Sequence, residues 1–208
     1  MSLSPYALAH LIRDRWPNTW YALERSSASL FRILYYHRLR RIEPAAMQLA
    51  EPYRMQRISQ IPSDQLVAFF RAQPEDTYQW FTPHGFTHKD IARLQRNPAF
   101  LGYVLKHNDR IVGYFFLRCF CNGTCYFGRI VDYPYRNQGI GALAAKLSFY
   151  MAEELQLKAF QTTSPKNIAS LKSSSKAYRL QPIGTAENGD TLYQNCPLQD
   201  DTDLNKTI

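Results

Sequence analysis

Gly139 and Gly141 are the residues of this chain best placed to hold an anion. They close the run Tyr135-Arg136-Asn137-Gln138-Gly139-Ile140-Gly141, which follows an extended apolar segment, residues 126–131. Residues 142–157 come next, with Leu143, Leu147, Tyr150, Met151 and Leu155 at helical spacing. The glycines therefore fall where a strand passes into a helix. The first N–H groups of a helix have no intrahelical acceptor, and the positive end of its dipole lies there. Without a Cβ, Gly139 and Gly141 let a phosphate come close to the backbone. The loop predicts a pyrophosphate cradle.

The spacing excludes two common phosphate loops. No Gly-Lys-Ser/Thr follows, as an ATPase loop requires, and only two glycines of the six-residue dinucleotide fingerprint are present. Arg136-x-x-Gly139-x-Gly141 after a strand resembles the Arg/Gln-x-x-Gly-x-Gly/Ala motif of the GNAT superfamily of N-acetyltransferases. The resemblance implies acetyl-coenzyme A as co-substrate. It places Ile130, Val131, Arg136, Asn137, Gln138, Gly139, Ile140 and Gly141 in the cofactor site, with the Val131 N–H toward the thioester carbonyl.

Downstream, a strand-like segment (residues 157–163) runs into Ser164-Pro165-Lys166-Asn167-Ile168-Ala169-Ser170-Leu171. Asn167, Ser170 and Leu171 match an Asn-x-x-Ala/Ser-hydrophobic helix start of the family, where the Asn faces the cofactor's pantetheine arm. Asn is also a good helix N-cap on its own account. Seven residues after the Asn the family often has a Tyr beside the leaving thiol, but this chain has Ser174. That departure leaves the acid role between Ser174, through a water, and Tyr178 one turn later.

Two strands upstream, residues 100–106 and 110–117, flank a His107-Asn108-Asp109 turn. Asn122-Gly123 predicts a second hairpin with a two-residue type I′ turn, which sets Cys121 opposite Thr124 and Cys119 opposite Tyr126. Residues 182–185 and 191–194 supply a last hairpin. The order of strand, helices, three strands, helix, strand, helix and two strands is that of the GNAT fold from residue 53 to 196. An α/β (α+β) domain with a mixed, mostly antiparallel twisted sheet is therefore expected.

Composition fits one such domain, residues 53–198, with additions at both ends: 208 residues, 45% apolar, can bury a single core. Residues 1–52 read as a basic helical extension. The first fifty residues hold seven arginines against three acids, +4 of a total of +8. Residues 26–46 set Leu30, Ile33, Leu34 and Leu39 among Arg32, Arg38, Arg40 and Arg41. Such a helix can meet an anionic membrane surface or a partner, but docking on its own domain with solvated arginines is the favoured expectation. A homodimer is left open. Nucleic acid is not an expected partner, because no recognition motif accompanies the charge. Residues 199–208 are polar and acidic and read as a disordered tail.

No run has the ~18 apolar residues that a membrane span needs. Residues 6–12 make too short an apolar run for a signal peptide, with Arg13, Asp14 and Arg15 behind it. A cytoplasmic protein with reduced cysteines is expected. Cys119, Cys121 and Cys125 lack a zinc spacing and a neighbouring His, so no metal is expected.

The acceptor side is read from Tyr78-Gln-Trp-Phe-Thr-Pro-His84-Gly-Phe-Thr-His88 and the helix expected at residues 89–96. Thr87 or His88 suits the helix cap. His84, behind a Pro in an aromatic loop, suits a proton acceptor. The Phe-x-Pro-His-x-Phe-Thr pattern resembles GNAT proteins of the amino-sugar and surface-polysaccharide branch. Strand residues 126–131 carry no acid, so the base falls to His84 first, then Asp132 or Tyr126, or to water. The reading is an acetyl-coenzyme A-dependent N-acetyltransferase acting on a primary amine of a small molecule, an amino sugar on the loop's resemblance. The alternatives are a coenzyme A-binding regulatory module without turnover, a longer acyl donor, or a hydroxyl acceptor.

Overall fold

The computed structural model describes residues 17–186 and 188–198, with side chains from Ser26 onward. The expected tail at residues 199–208 and the short apolar run at residues 6–12 lie outside the described residues. Seven strands, β1 (Arg54–Arg57), β2 (Phe100–His107), β3 (Arg110–Cys119), β4 (Thr124–Val131), β5 (Lys158–Thr163), β6 (Arg179–Thr185) and β7 (Thr191–Cys196), form one sheet in the order β1-β2-β3-β4-β5-β7-β6. Only β4 and β5 run parallel; the other neighbours are antiparallel. This is the expected α+β class with a mixed, mostly antiparallel sheet.

Among the described residues, five helices cover the two faces: α1 (Pro17–Leu49), α2 (Ser63–Arg71), α3 (His88–Arg96), α4 (Ile140–Glu154) and α5 (Ile168–Ser175). On one face, α1 and α4 pack with Tyr103, Phe115, Leu117 and Phe127 in a single apolar cluster. On the other, α2 and α3 pack with Phe100, Val104, Tyr114, Phe116 and Ile130. Strands β2 and β3 are covered on both sides, so their side chains are buried almost without a break.

Residues 17–49 form one 33-residue helix. Ala28, Phe31, Tyr35, Leu39, Ile42 and Ala46 recur at three- and four-residue intervals; Tyr35 is half-buried against the first cluster and the others are buried in it. The opposite side of α1 leaves Leu30, Ile33 and Leu34 exposed. Arg38 donates to the Gln156 Oε1 on the turn after α4 (2.8 Å). Among the described residues, no helix is long and apolar enough to cross a membrane.

The Asn122-Gly123 hairpin differs from the expected two-residue turn. Of its residues only Gly123 has a positive φ, +79°, whereas a type I′ turn needs two. The Gly123 N–H bonds to the Phe120 carbonyl, and the Phe120 N–H to that of Thr124. This three-residue loop shifts the register by one. Cys119 therefore lies opposite Cys125, not Tyr126, and both thiols are buried and free. Burial and the neighbouring Cys125 push the Cys119 thiol well above its usual range.

Candidate active site

Strands β4 and β5 pair at Thr124–Lys158, Cys125–Ala159 and Tyr126–Phe160 and then part. Residues 127–131 stay on β3, while residues 161–163 stay on β7. A wedge opens between them in the middle of the sheet. The Asp132 N–H bonds to the Val112 carbonyl on the β3 side. By strand alternation the N–H groups of Val131 and Arg129 therefore point to the open side.

At the mouth of the wedge α4 begins. Gly139 is its N-cap in the left-handed region, φ +83°, with no side-chain cap. The first N–H bonded within the helix is that of Leu143, to the Gly139 carbonyl. Among the described residues, the N–H groups of residues 137–142 thus meet no protein acceptor. A Cβ on Gly139 would meet nothing within 4 Å, so the cradle is open. Six free donors at a positive helix end fit a diphosphate. On Gly141 a Cβ would touch Ser173 and Val131 at 3.6–3.7 Å, which shows how closely α4, α5 and β4 converge there.

Side chains of the loop behave differently from its backbone. Arg136 turns back to donate to Thr77 Oγ1 (2.7 Å) and lies over the Tyr133 ring. Gln138 donates to the Pro134 carbonyl (3.3 Å). Asn137, at φ +63°, is exposed, and Ile140 is buried as the first apolar anchor of α4. Ile130 points to the α2–α3 face and is buried there. Asn167 caps α5, its Oδ1 accepting from the Ser170 N–H (3.0 Å).

Ser174 has no exposed surface. It exchanges hydrogen bonds with the Gln161 amide (3.2–3.3 Å) and accepts from Arg129 (2.7 Å). Tyr178, equally buried, donates to Gln161 Oε1 (2.6 Å). The sequence reading did not single out Arg129 and Gln161. Their signal was a long polar side chain inside a strand next to an apolar residue, Ile130 and Phe160 respectively.

The proton-acceptor candidates are redistributed. His84 Nδ1 lies 2.9 Å from the Gly85 carbonyl, which can only accept, so that nitrogen carries the proton. Nε2 then accepts from the Tyr114 hydroxyl (2.9 Å). Burial pushes that phenol well above its usual range, which keeps it a donor. The rings of Phe70, Phe81, Phe86, Phe100, Tyr114 and Phe116 stand within 5.1–6.5 Å of the imidazole. Burial, aided by Arg118 and Arg93, lowers its pKa against the Gly85 carbonyl and Asp90. His84 is thus a neutral packing residue with both nitrogens engaged, not a free lone pair.

Asp132 is also committed. Its side chain is nearly buried, with Oδ1 accepting from Gln73 (2.9 Å) and Oδ2 from Arg110 Nε and Nη2 (3.0 and 2.8 Å). These bonds tie the turn after β4 to Gln73, just past α2, and to Arg110 at the start of β3. Tyr126 stands at the closed end of the wedge against Phe160, partly exposed, and its hydroxyl has no partner among the described residues. Thr87 rather than His88 caps α3, in a capping box with Asp90; His88 pairs with Asp64 (2.9 Å). Among the described residues no cluster of three metal-ligating side chains occurs.

No protein-family model matches the sequence, and no curated protein matches it. Solved structures do match in shape. The GNAT domain of S. lividans PAT superposes with a TM-score of 0.59 at 13% identity, over 68% of this chain and 89% of that one. The fold is that of the GNAT acetyltransferases. Aminoglycoside acetyltransferase AAC(6')-Ib, in complex with coenzyme A and kanamycin, matches at TM-score 0.52 and 14% identity over 74% of this chain and 97% of its own. Mycobacterium smegmatis RimJ, with coenzyme A disulfide, gives 0.51 and 14% over 68% and 83%. At these identities the likeness to the GNAT enzymes is one of fold.

Proposed function

We propose that this GNAT-fold chain is an acetyl-coenzyme A-dependent N-acetyltransferase that acetylates the primary amine of a small molecule, an amino sugar. One observation carries the reading: a mid-sheet wedge whose mouth holds six unpartnered N–H groups. The aromatic Pro83-His84 loop supports the acceptor class, as does the fold likeness to an enzyme solved with kanamycin.

When bound, acetyl-coenzyme A supplies an acyl group activated as a thioester. The chain's part is placement and polarisation. The cradle N–H groups hold the diphosphate, and Asn167 with Ser170 lines the side of the wedge at the start of α5. The Val131 N–H, on the open side of β4, donates to the thioester carbonyl. This uses proximity and preorganised donors, with no enzyme nucleophile. With His84 and Asp132 engaged elsewhere, the proton lost by the amine passes to water.

Gly139→Asp tests the cradle. A Cβ has room there, and Asp is among the residues that tolerate the left-handed region, so the fold should survive. Its carboxylate would face the diphosphate. Calorimetry should show coenzyme A binding weakened at least ~10-fold, about 1.4 kcal/mol. Unchanged affinity in a folded variant would remove the loop from the site.

The Ser at position 174, sealed among protein donors, favours a second reading: a coenzyme A-binding module without turnover. A thiol-release screen of amino sugars, polyamines, amino acids and peptides separates the two. Free coenzyme A should appear with amino sugars. Binding without release across the whole panel would establish the module instead.

A further inference from the structure

Among the described residues, Arg129 is a cation without a carboxylate partner. Two other arginines of the sheet have carboxylates: half-buried Arg57 meets Glu43, and exposed Arg110 meets Asp132. Arg129 meets none among the described residues; its partners are neutral oxygens. Nη2 donates to the Ser170 carbonyl (3.0 Å), Ser173 Oγ (2.8 Å) and Ser174 Oγ (2.7 Å), and Nη1 reaches the Tyr178 hydroxyl (3.4 Å). A guanidinium has five N–H groups. Nε–H and one Nη1 hydrogen donate to no protein atom among the described residues. A half-buried positive charge held by dipoles keeps a strong local field, because no carboxylate among the described residues neutralises it.

Its position gives that field a use. Arg129 lies three residues beyond the last β4–β5 pair, and its side chain spans the gap from β4 to α5. Ser173, which accepts from it, also abuts Gly141 of the cradle. Ser174, which occupies the place where the related enzymes often carry a phenol, is another of its acceptors. The wedge and the cradle therefore converge on this guanidinium. Resting on the acetyltransferase reading, we propose that Arg129 binds and stabilises the sulfur anion of coenzyme A, in place of a proton-donating phenol. In the transfer, a C–N bond forms and the C–S bond breaks, its electron pair leaving on sulfur. The nitrogen's surplus proton goes to water. Arg129 supplies no proton; a free N–H, on Nε or Nη1, receives the thiolate as a charge-assisted pair, while Ser173, Ser174 and Tyr178 fix the guanidinium's orientation.

The test is the pH dependence of binding to the full chain, by calorimetry, of coenzyme A and of desulfo-coenzyme A, which lacks the sulfur. A free thiol ionises near ~8.5. If Arg129 selects the thiolate, coenzyme A should gain at least ~10-fold in affinity over desulfo-coenzyme A between pH 6 and pH 9. Arg129→Gln should abolish that gain, and Arg129→Lys should keep part of it. The wild-type comparison needs no variant, so a misfolded Arg129→Gln does not blunt it. Equal pH profiles for the two compounds in the wild type would overturn the proposal, as would a gain that survives in folded Arg129→Gln. If neither compound binds at any pH, the cofactor reading itself fails and takes the proposal with it.

Discussion

His84→Ala should destabilise the protein by about 3 kcal/mol, read by chemical denaturation. Removal of an aromatic-sized side chain from a packed site costs about 3–5 kcal/mol. Six rings close around this imidazole, although it keeps some solvent contact. The buried Tyr114 hydroxyl also loses its acceptor. His84→Phe keeps the volume and gives up only the hydrogen bonds, so it should cost about 1–2 kcal/mol. The pH dependence has a definite sign. The folded imidazole is held below its ordinary value of 6.5 by burial, so below that pH the unfolded chain takes a proton that the folded chain refuses. Stability should fall as pH drops from about 6.5 toward the folded pKa, and His84→Phe should lack that slope. Meanwhile, the acidic limb of the pH–rate profile should persist in folded His84 variants. Its disappearance would return His84 to the role of base.

Glu43→Ala should be nearly as costly, about 2–4 kcal/mol. One carboxylate oxygen of this α1 residue accepts both from Tyr103, a fully buried phenol on β2 (2.6 Å), and from Arg57 on β1. Truncation strands the phenol without an acceptor and leaves the guanidinium without its charge partner. Arg57 already has one nitrogen buried and unbonded, so it has no ready substitute. Glu43→Gln retains an acceptor for the phenol and should cost about half as much. Because Glu43 fastens α1 to the sheet, the Ala variant should also be clipped faster within α1 by limited proteolysis. A stability loss below about 1 kcal/mol would show that apolar packing of Phe31 and Ile42 alone holds the helix.

Much of this was legible in residue order. Glycines at alternate positions between a strand and a helix mark a turn whose chemistry is local, so residues 139–141 announce the α4 start and its unbonded N–H groups. Asn167 and Thr87 likewise announce helix ends through short-range bonds. What escaped depends on partners far along the chain. His84 resembles a proton acceptor by its Pro-His-Gly setting, yet its character comes from Phe100, Tyr114 and Phe116, which strand pairing brings over it. Asp132 reads as a free acid after a strand until Arg110 and Gln73 close on it. Nothing beside Arg129 in the chain marks it, because its partners are three serines some forty residues later. The cysteine register failed on one torsion, since Asn122-Gly123 suits two turn types and only the sign of φ at Asn122 tells them apart.

The parting of β4 and β5 makes the sheet mechanically unequal. Three residue pairs form the whole ladder between β1–β4 and the β5–β7 leaf, against seven between β3 and β4. Shear or thermal opening therefore concentrates along one seam, with Tyr126–Phe160 as the hinge and the Arg129 bonds to α5 as the latch. In hydrogen exchange the β5–β7 leaf should lose protection as a unit before β2 and β3 do. Whatever fills the seam becomes part of the sheet, so its occupancy would be felt as stiffness at the far β6 edge.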